Sequence, residues 1–141
     1  MLENPDAAHL RRMLATVRTI AVVGLSPRPE RPSHAVARAL QGFGYTVVPV
    51  NPGQSVLLGE RCHRTLSDIP PEVRARIDLV DVFRDASAVA GIVDECITLS
   101  LPRLWLQDGV IDEPSALRAR AAGIEVVMDR CIYRDYVNLM R

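Results

Sequence analysis

Thr19-Ile20-Ala21-Val22-Val23-Gly24-Leu25-Ser26-Pro27-Arg28-Pro29-Glu30-Arg31-Pro32-Ser33 is the stretch on which the fold turns. Its first half is a short, β-branched apolar run that stops at a glycine, the pattern of a strand buried on both faces. Its second half holds three prolines and two arginines and leads to Ser33, a residue suited to cap the next helix. A buried strand, a glycine bend and a helix start form the opening of a βαβ unit. In that geometry the helix N-terminus turns unpaired N–H groups and a positive dipole end toward the crevice above the strand. Gly24 permits the tight turn, Ser26 and Ser33 supply hydroxyls, and Arg28 and Arg31 supply guanidinium forks suited to phosphate.

The same alternation continues along the chain. Upstream, Asn4-Pro5-Asp6 starts a helix with Leu10, Met13, Leu14 and Val17 on one side. Downstream, a helix carrying Val36, Ala37 and Leu40 ends near Gly42 and Gly44, and residues 45–50 form a second strand. Pro49 fits that strand only where its missing N–H faces an unpaired position. Asn51-Pro52-Gly53 is a turn. Residues 54–76 are less regular, with a small extra strand expected at 56–58 and a turn or short helix from Ser67-Asp68. Residues 77–83, 103–106 and 124–128 read as further strands, and residues 87–99 and 113–122 as the helices between them, Gly123 ending the last. A short helix is expected over 133–139. Strands and helices alternating at this spacing imply an α/β, three-layer, doubly wound Rossmann-like fold. Its parallel sheet has about five strands with helices on both faces. Ligands in such sheets sit outside the carboxyl ends of the strands, here expected at a switch point between the first and fourth strands.

Composition narrows the function. The 141 residues suit a single domain, and 48% hydrophobic with 24% charged residues is a globular balance. The formal net charge of +0 gives no field for nucleic acid or an anionic membrane, so an anion site has to be local. Every basic residue other than histidine is arginine, which excludes lysine Schiff-base and Walker-lysine chemistry. The first twelve residues are polar and no apolar run approaches membrane-spanning length, so a cytoplasmic protein is expected. Cys62, Cys96 and Cys131 show no CxxC spacing, which argues against a disulfide frame or a zinc site. The sequence is compatible with a monomer and with a homo-oligomer.

The strand ends hold the candidate ligand contacts. The dinucleotide fingerprint is absent beyond Gly24, and the second strand ends in Asn51-Pro52 rather than in a ribose-binding carboxylate. A cofactor with a phosphorylated ribose, coenzyme A or NADP, therefore suits the charge pattern better than NAD. Phe83 and Arg84 follow the third strand and are placed to meet a base and a phosphate. Gln107 and the Asp108-Gly109 turn follow the fourth. Cys131 follows the fifth; as a thioester-attacking nucleophile it would need a base, and His34 is the candidate.

Several stretches occur together: Ala21-Val22-Val23-Gly24-Leu25-Ser26-Pro27, Arg31-Pro32-Ser33, Val48-Pro49-Val50-Asn51-Pro52 and Gly59-Glu60-Arg61-Cys62. Asp78-Leu79-Val80-Asp81-Val82-Phe83-Arg84, Trp105-Leu106-Gln107-Asp108-Gly109 and Val127-Met128-Asp129-Arg130-Cys131-Ile132 follow. In this order the chain resembles the small stand-alone CoA-binding proteins, whose fold is like the CoA-binding domain of the succinyl-CoA synthetase alpha subunit. The resemblance covers about residues 20–136. It implies coenzyme A as cofactor, with Gly24, Ser26, Pro27, Arg28, Arg31 and Ser33 around the diphosphate. It puts Asn51, Pro52, Phe83 and Arg84 at the adenosine end, and Trp105 through Gly109 near the cleft. With Leu25, Gln107 and Gly109 these residues are the expected ligand-binding set.

Two departures stand out. Relatives often carry a lysine after the Asn-Pro turn, where this chain has Gly53-Gln54, and a lysine and glutamate after the Cys-Ile pair, where it has Tyr133-Arg134-Asp135-Tyr136. The synthetases also need a domain bearing a phosphorylated histidine and a second subunit. The expected role is thus a carrier, sensor or regulatory module that binds a small nucleotide ligand, without evident catalysis. A small thioester-processing enzyme using Cys131 and an NAD(P)-binding redox sensor are the alternatives.

Overall fold

The computed structural model describes residues 2–140. Five parallel strands form the central sheet: β1 (Thr19–Val23), β2 (Thr46–Val50), β5 (Leu79–Val82), β6 (Arg103–Leu106) and β7 (Glu125–Val127). A separate antiparallel hairpin pairs β3 (Val56–Leu57) with β4 (Glu60–Arg61), where the extra strand was expected. The helices are α1 (Ala7–Thr16), α2 (Pro32–Gly42), α3 (Pro71–Arg74), α4 (Val89–Thr98), α5 (Glu113–Ala121) and α6 (Ile132–Leu139). The single turn of α3 carried no sequence signal beyond its Pro70-Pro71 start. The expected helix from Ser87 opens instead as a 3-10 turn at Ala86–Ala88 before α4.

The pleat divides the core in two, because successive strand residues face opposite sides. Ile20, Val22, Leu79, Trp105 and Val127 join α1, α2 and α6 through Leu10, Met13, Leu14, Ala37, Leu40 and Ile132. Ala21, Val23, Val80, Val82, Leu104 and Leu106 join α4 and α5 through Val89, Ile92, Val93, Cys96, Ala116 and Ala119. The helices thus cover both faces, and β1 reads as a nearly continuous apolar run because both of its sides are dry.

The strand order is β2-β1-β5-β6-β7. Order therefore reverses between β1 and β5, the first and third principal strands, and not between the first and fourth as expected from the sequence. The expectation assumed a sheet with a further strand outside β2. Here β2 is the edge, and this is the other common doubly wound order. The edge position also accommodates Pro49. Val50 O accepts from Gly24 N on the β1 side, so the alternate residue Pro49 faces outward, where its carbonyl accepts from His63 N.

Candidate functional site

The cleft lies above the β1–β5 reversal and encloses a cavity of about 530 Å³. Four strand ends build it. From the first comes the bend after β1. Gly24 has φ of +84°, and a side-chain carbon there would lie 2.7 Å from the Phe83 carbonyl oxygen and 2.9 Å from Arg84 Cδ. Only glycine lets the β1 loop and the β5 exit lie this close.

The loop is held by its own side chains. Ser33 Oγ accepts from Ser26 N at 2.9 Å, and Ser26 Oγ accepts from Arg28 N at 3.1 Å. This corrects the expectation that Ser33 caps α2: Arg31 is the N-cap, makes no side-chain cap bond, and Pro32 occupies the first helical turn. Pro at that position already supplies the helical φ and lacks an N–H to satisfy, so the serine is released to tie the loop back. Arg28 and Arg31 both line the cavity, and Arg28 Nε donates to Glu30 Oε1 at 2.9 Å.

Of the expected residues, Gly24, Ser26, Arg28, Arg31, Ser33, Phe83, Arg84 and Gln107 line the one cavity. Leu25, Pro27, Asn51, Pro52 and Gly109 do not. The Leu25 side chain is fully buried in the core. Asn51 holds the frame: its Nδ2 donates to Leu25 O at 2.8 Å, and its Oδ1 accepts from Gly53 N at 2.7 Å. Gly109, with φ of +76°, donates its N–H to Asp129 Oδ1 at 2.7 Å, which ties the β6 turn to the β7 turn.

Three lining residues went unnamed as candidates: Pro32, Val36 and Val110. Val36 reads as part of the apolar side of its helix and Val110 draws no reading, because no local signal separates a cleft wall from a core. Asp108 was readable as part of the Asp-Gly turn, but its partner was not. It accepts two bonds from Arg134 of α6, at 3.0 and 2.9 Å, and the guanidinium holds its carboxyl below the usual carboxylate range.

The far wall is stitched by the β7 exit. Trp105 Nε1 donates to Arg130 O at 2.8 Å, and Ile132 N donates to Gln107 Oε1 at 3.2 Å. With its oxygen engaged, buried Gln107 has its amide N–H groups to offer the cavity. Cys131 lines this wall and is half-buried. Arg130 beside it is turned to Asp135, with two contacts of 2.7 Å. No histidine is among the lining residues, so His34 does not reach the cleft.

Beneath the floor, on the same strand face as Phe83, lies Asp81. It is fully buried, neither carboxyl oxygen has a hydrogen-bond partner, and burial holds its pKa well above the carboxylate range. Asp81 is paired in register with Val22 and Trp105. Among the described residues no cluster of metal-ligating side chains occurs, and no helix is long and apolar enough to cross a membrane.

The sequence profile of the CoA binding domain matches residues 18–136, which include every residue lining the cavity. The chain belongs to the CoA-binding domain family. An uncharacterized Bacillus subtilis protein, YneT, is 37% identical over 131 residues, 93% of this chain and 94% of that one. A solved structure of a hypothetical protein from Pyrococcus horikoshii OT3 matches with a TM-score of 0.90 at 30% identity, each chain fully covered. One from Thermus thermophilus matches at 0.87 and 37%, with 96% of this chain and 99% of that one covered. An ADP-forming acetate–CoA ligase of Archaeoglobus fulgidus is 32% identical over 79 residues, which are 56% of this chain but 11% of the ligase. The fold and the family thus agree with the resemblance that the strand-end motifs carried.

Proposed function

We propose that this protein binds coenzyme A in the cleft above the β1–β5 reversal and works as a carrier, sensor or regulatory module. One observation carries the reading: a single cavity joins the N-terminal end of α2, with Arg28, Arg31 and Ser33, to Arg84 from β5 and Gln107 from β6. Its volume falls within the roughly 300–1,000 Å³ usual for ligand sites. The helix N-terminus and three guanidinium groups suit the diphosphate and a ribose phosphate. Phe83 and the nearby Asn51-Pro52 turn suit the adenosine. Val36 and Val110 suit the pantetheine chain, with the Gln107 amide placed to donate to one of its carbonyls. The titratable lining side chains are arginines, Asp108 and Cys131, which supports a binding role over acid–base catalysis.

Calorimetry with coenzyme A, dephospho-coenzyme A, NAD and NADP tests the reading. Coenzyme A should bind tightest, and dephospho-coenzyme A more weakly for want of the ribose phosphate; indifference to all four would end the proposal. Arg28→Ala and Arg31→Ala should each weaken coenzyme A by about 1–3 kcal/mol, if each makes a charge-assisted phosphate bond. That is roughly a five- to 150-fold rise in Kd. Unchanged affinity in both variants would remove the cradle from the site.

A further inference from the structure

We propose that Cys131 captures the sulfur end of coenzyme A as a mixed disulfide, so that the cleft is loaded and released by thiol–disulfide exchange. The proposal rests on the coenzyme A reading above and goes beyond it in assigning a covalent, redox-controlled state.

The three thiols differ sharply in setting. Cys96 is fully buried on α4, and burial raises its pKa to about 12. Cys62 is buried, its Sγ donates to Asn51 O at 3.5 Å, and burial pushes that thiol up as well. Cys131 alone is partly exposed, and it opens into the cavity whose other walls carry Arg28, Arg31 and Arg84. The cysteine is thus part of a built anion-binding cleft.

The chemistry of the proposed ligand completes the argument. Coenzyme A carries a diphosphate toward one end and a sulfur at the other. A diphosphate at the α2 terminus and adenosine on the Phe83 flank leave the pantetheine to run along Val36 and Val110 toward the opposite wall. That wall is Gln107, Asp108 and Cys131. Cys131 is also the N-cap residue of α6 and makes no side-chain cap bond, so its sulfur is not committed to the helix. Its position places the sulfur at the N-terminal end of α6, beside the cavity.

The co-reactant is a coenzyme A disulfide, in which the cofactor's sulfur is joined to a second small thiol. The Cys131 thiolate attacks the coenzyme A sulfur. The original S–S bond breaks, a Cys131–coenzyme A S–S bond forms, and the second thiol leaves as a thiolate that takes up the proton Cys131 gave up. Cys131 is oxidised and the departing thiol is reduced, with no other oxidant. Excess small thiol runs the exchange backward.

The test uses the full chain, first reduced and then treated with coenzyme A disulfide or, separately, with oxidised glutathione. Intact mass should show one coenzyme A adduct per chain, lost on adding dithiothreitol and lost in Cys131→Ser. Peptide mapping of the wild-type adduct should find it on the peptide that holds Cys131. The adduct should form at least about 10-fold faster with coenzyme A disulfide than with oxidised glutathione, because a bound disulfide is presented to the thiol at high effective concentration. Equal rates, or an adduct mapped to Cys62 or Cys96, would overturn the proposal. Calorimetry of the reduced protein with coenzyme A separates the two readings. Reversible binding without any adduct from the disulfide would sink the covalent state alone, whereas absence of both would sink the site.

Discussion

A methyl group on Gly24 would sit 2.7 Å from the Phe83 carbonyl oxygen, at a φ of +84° that side chains disfavour. Gly24→Ala should therefore destabilise the protein by about 1–3 kcal/mol from the backbone strain alone. It should also push the β1 loop off the β5 exit. Denaturant unfolding would register the first effect and coenzyme A calorimetry the second; wild-type values in both would mean that the close approach carries no constraint. Asp81 makes the opposite prediction. Its folded pKa is raised above the unfolded value, so over the window between them the native state holds more protons than the unfolded one, and stability falls as pH rises. The cost is absent below the ordinary carboxylate pKa and present at neutral pH. Asp81→Leu should raise stability at pH 7 by about 1–3 kcal/mol, by removing an unsatisfied buried polar group. It should also flatten this part of the pH profile, measured by urea unfolding from pH 4 to pH 8. A loss of stability in the variant would show that the carboxyl has a partner in solution. Nothing in the residue pattern marked Asp81. The sequence Leu79-Val80-Asp81-Val82 shows a polar residue in a strand, and only the covering helices make it a fully buried acid.

At the scale of elements, helix starts were read with mixed success, for a physical reason. Asp6 and Asp112 cap α1 and α5 through bonds to the N–H groups of His9 and Ser115, each a contact three residues along the chain. Such caps are local, so the sequence contains them whole. Ser33 has the same chemistry and a suitable position, yet its hydroxyl serves Ser26 N, because Pro32 already starts α2. Two local solutions competed, and the proline won. The α5 cap has weight because the buried face of that helix is small, only Ser115, Ala116 and Ala119. Asp112→Ala should cost about 0.5–2 kcal/mol and leave coenzyme A affinity unchanged, as thermal unfolding and calorimetry would show. A parallel loss of affinity would mean that α5 helps to hold the β6 exit in place.

For the whole molecule, the proposed ligand bridges segments that lie far apart in the chain: the β1 loop, the β5 exit and the turns after β6 and β7. Binding there stabilises the folded state by mass action. Coenzyme A at 100 times its Kd should add about 2.7 kcal/mol, visible as a rise in Tm that climbs with ligand concentration. A Tm unmoved by saturating coenzyme A would contradict binding to the native state. The amino-acid sequence by itself determined the alternation of strands and helices, the apolar core positions and the Gly-Ser-Pro bend, because each depends on neighbours within a few residues. The tertiary structure alone decided the order β2-β1-β5-β6-β7, and with it where the crevice opens. It also decided that Leu25 points into the core while Ser26 lines the cavity, and that Cys131 shares a wall with Gln107. Those outcomes depend on which strand lies beside which, and residues far apart in the chain settle that by packing both faces of one sheet.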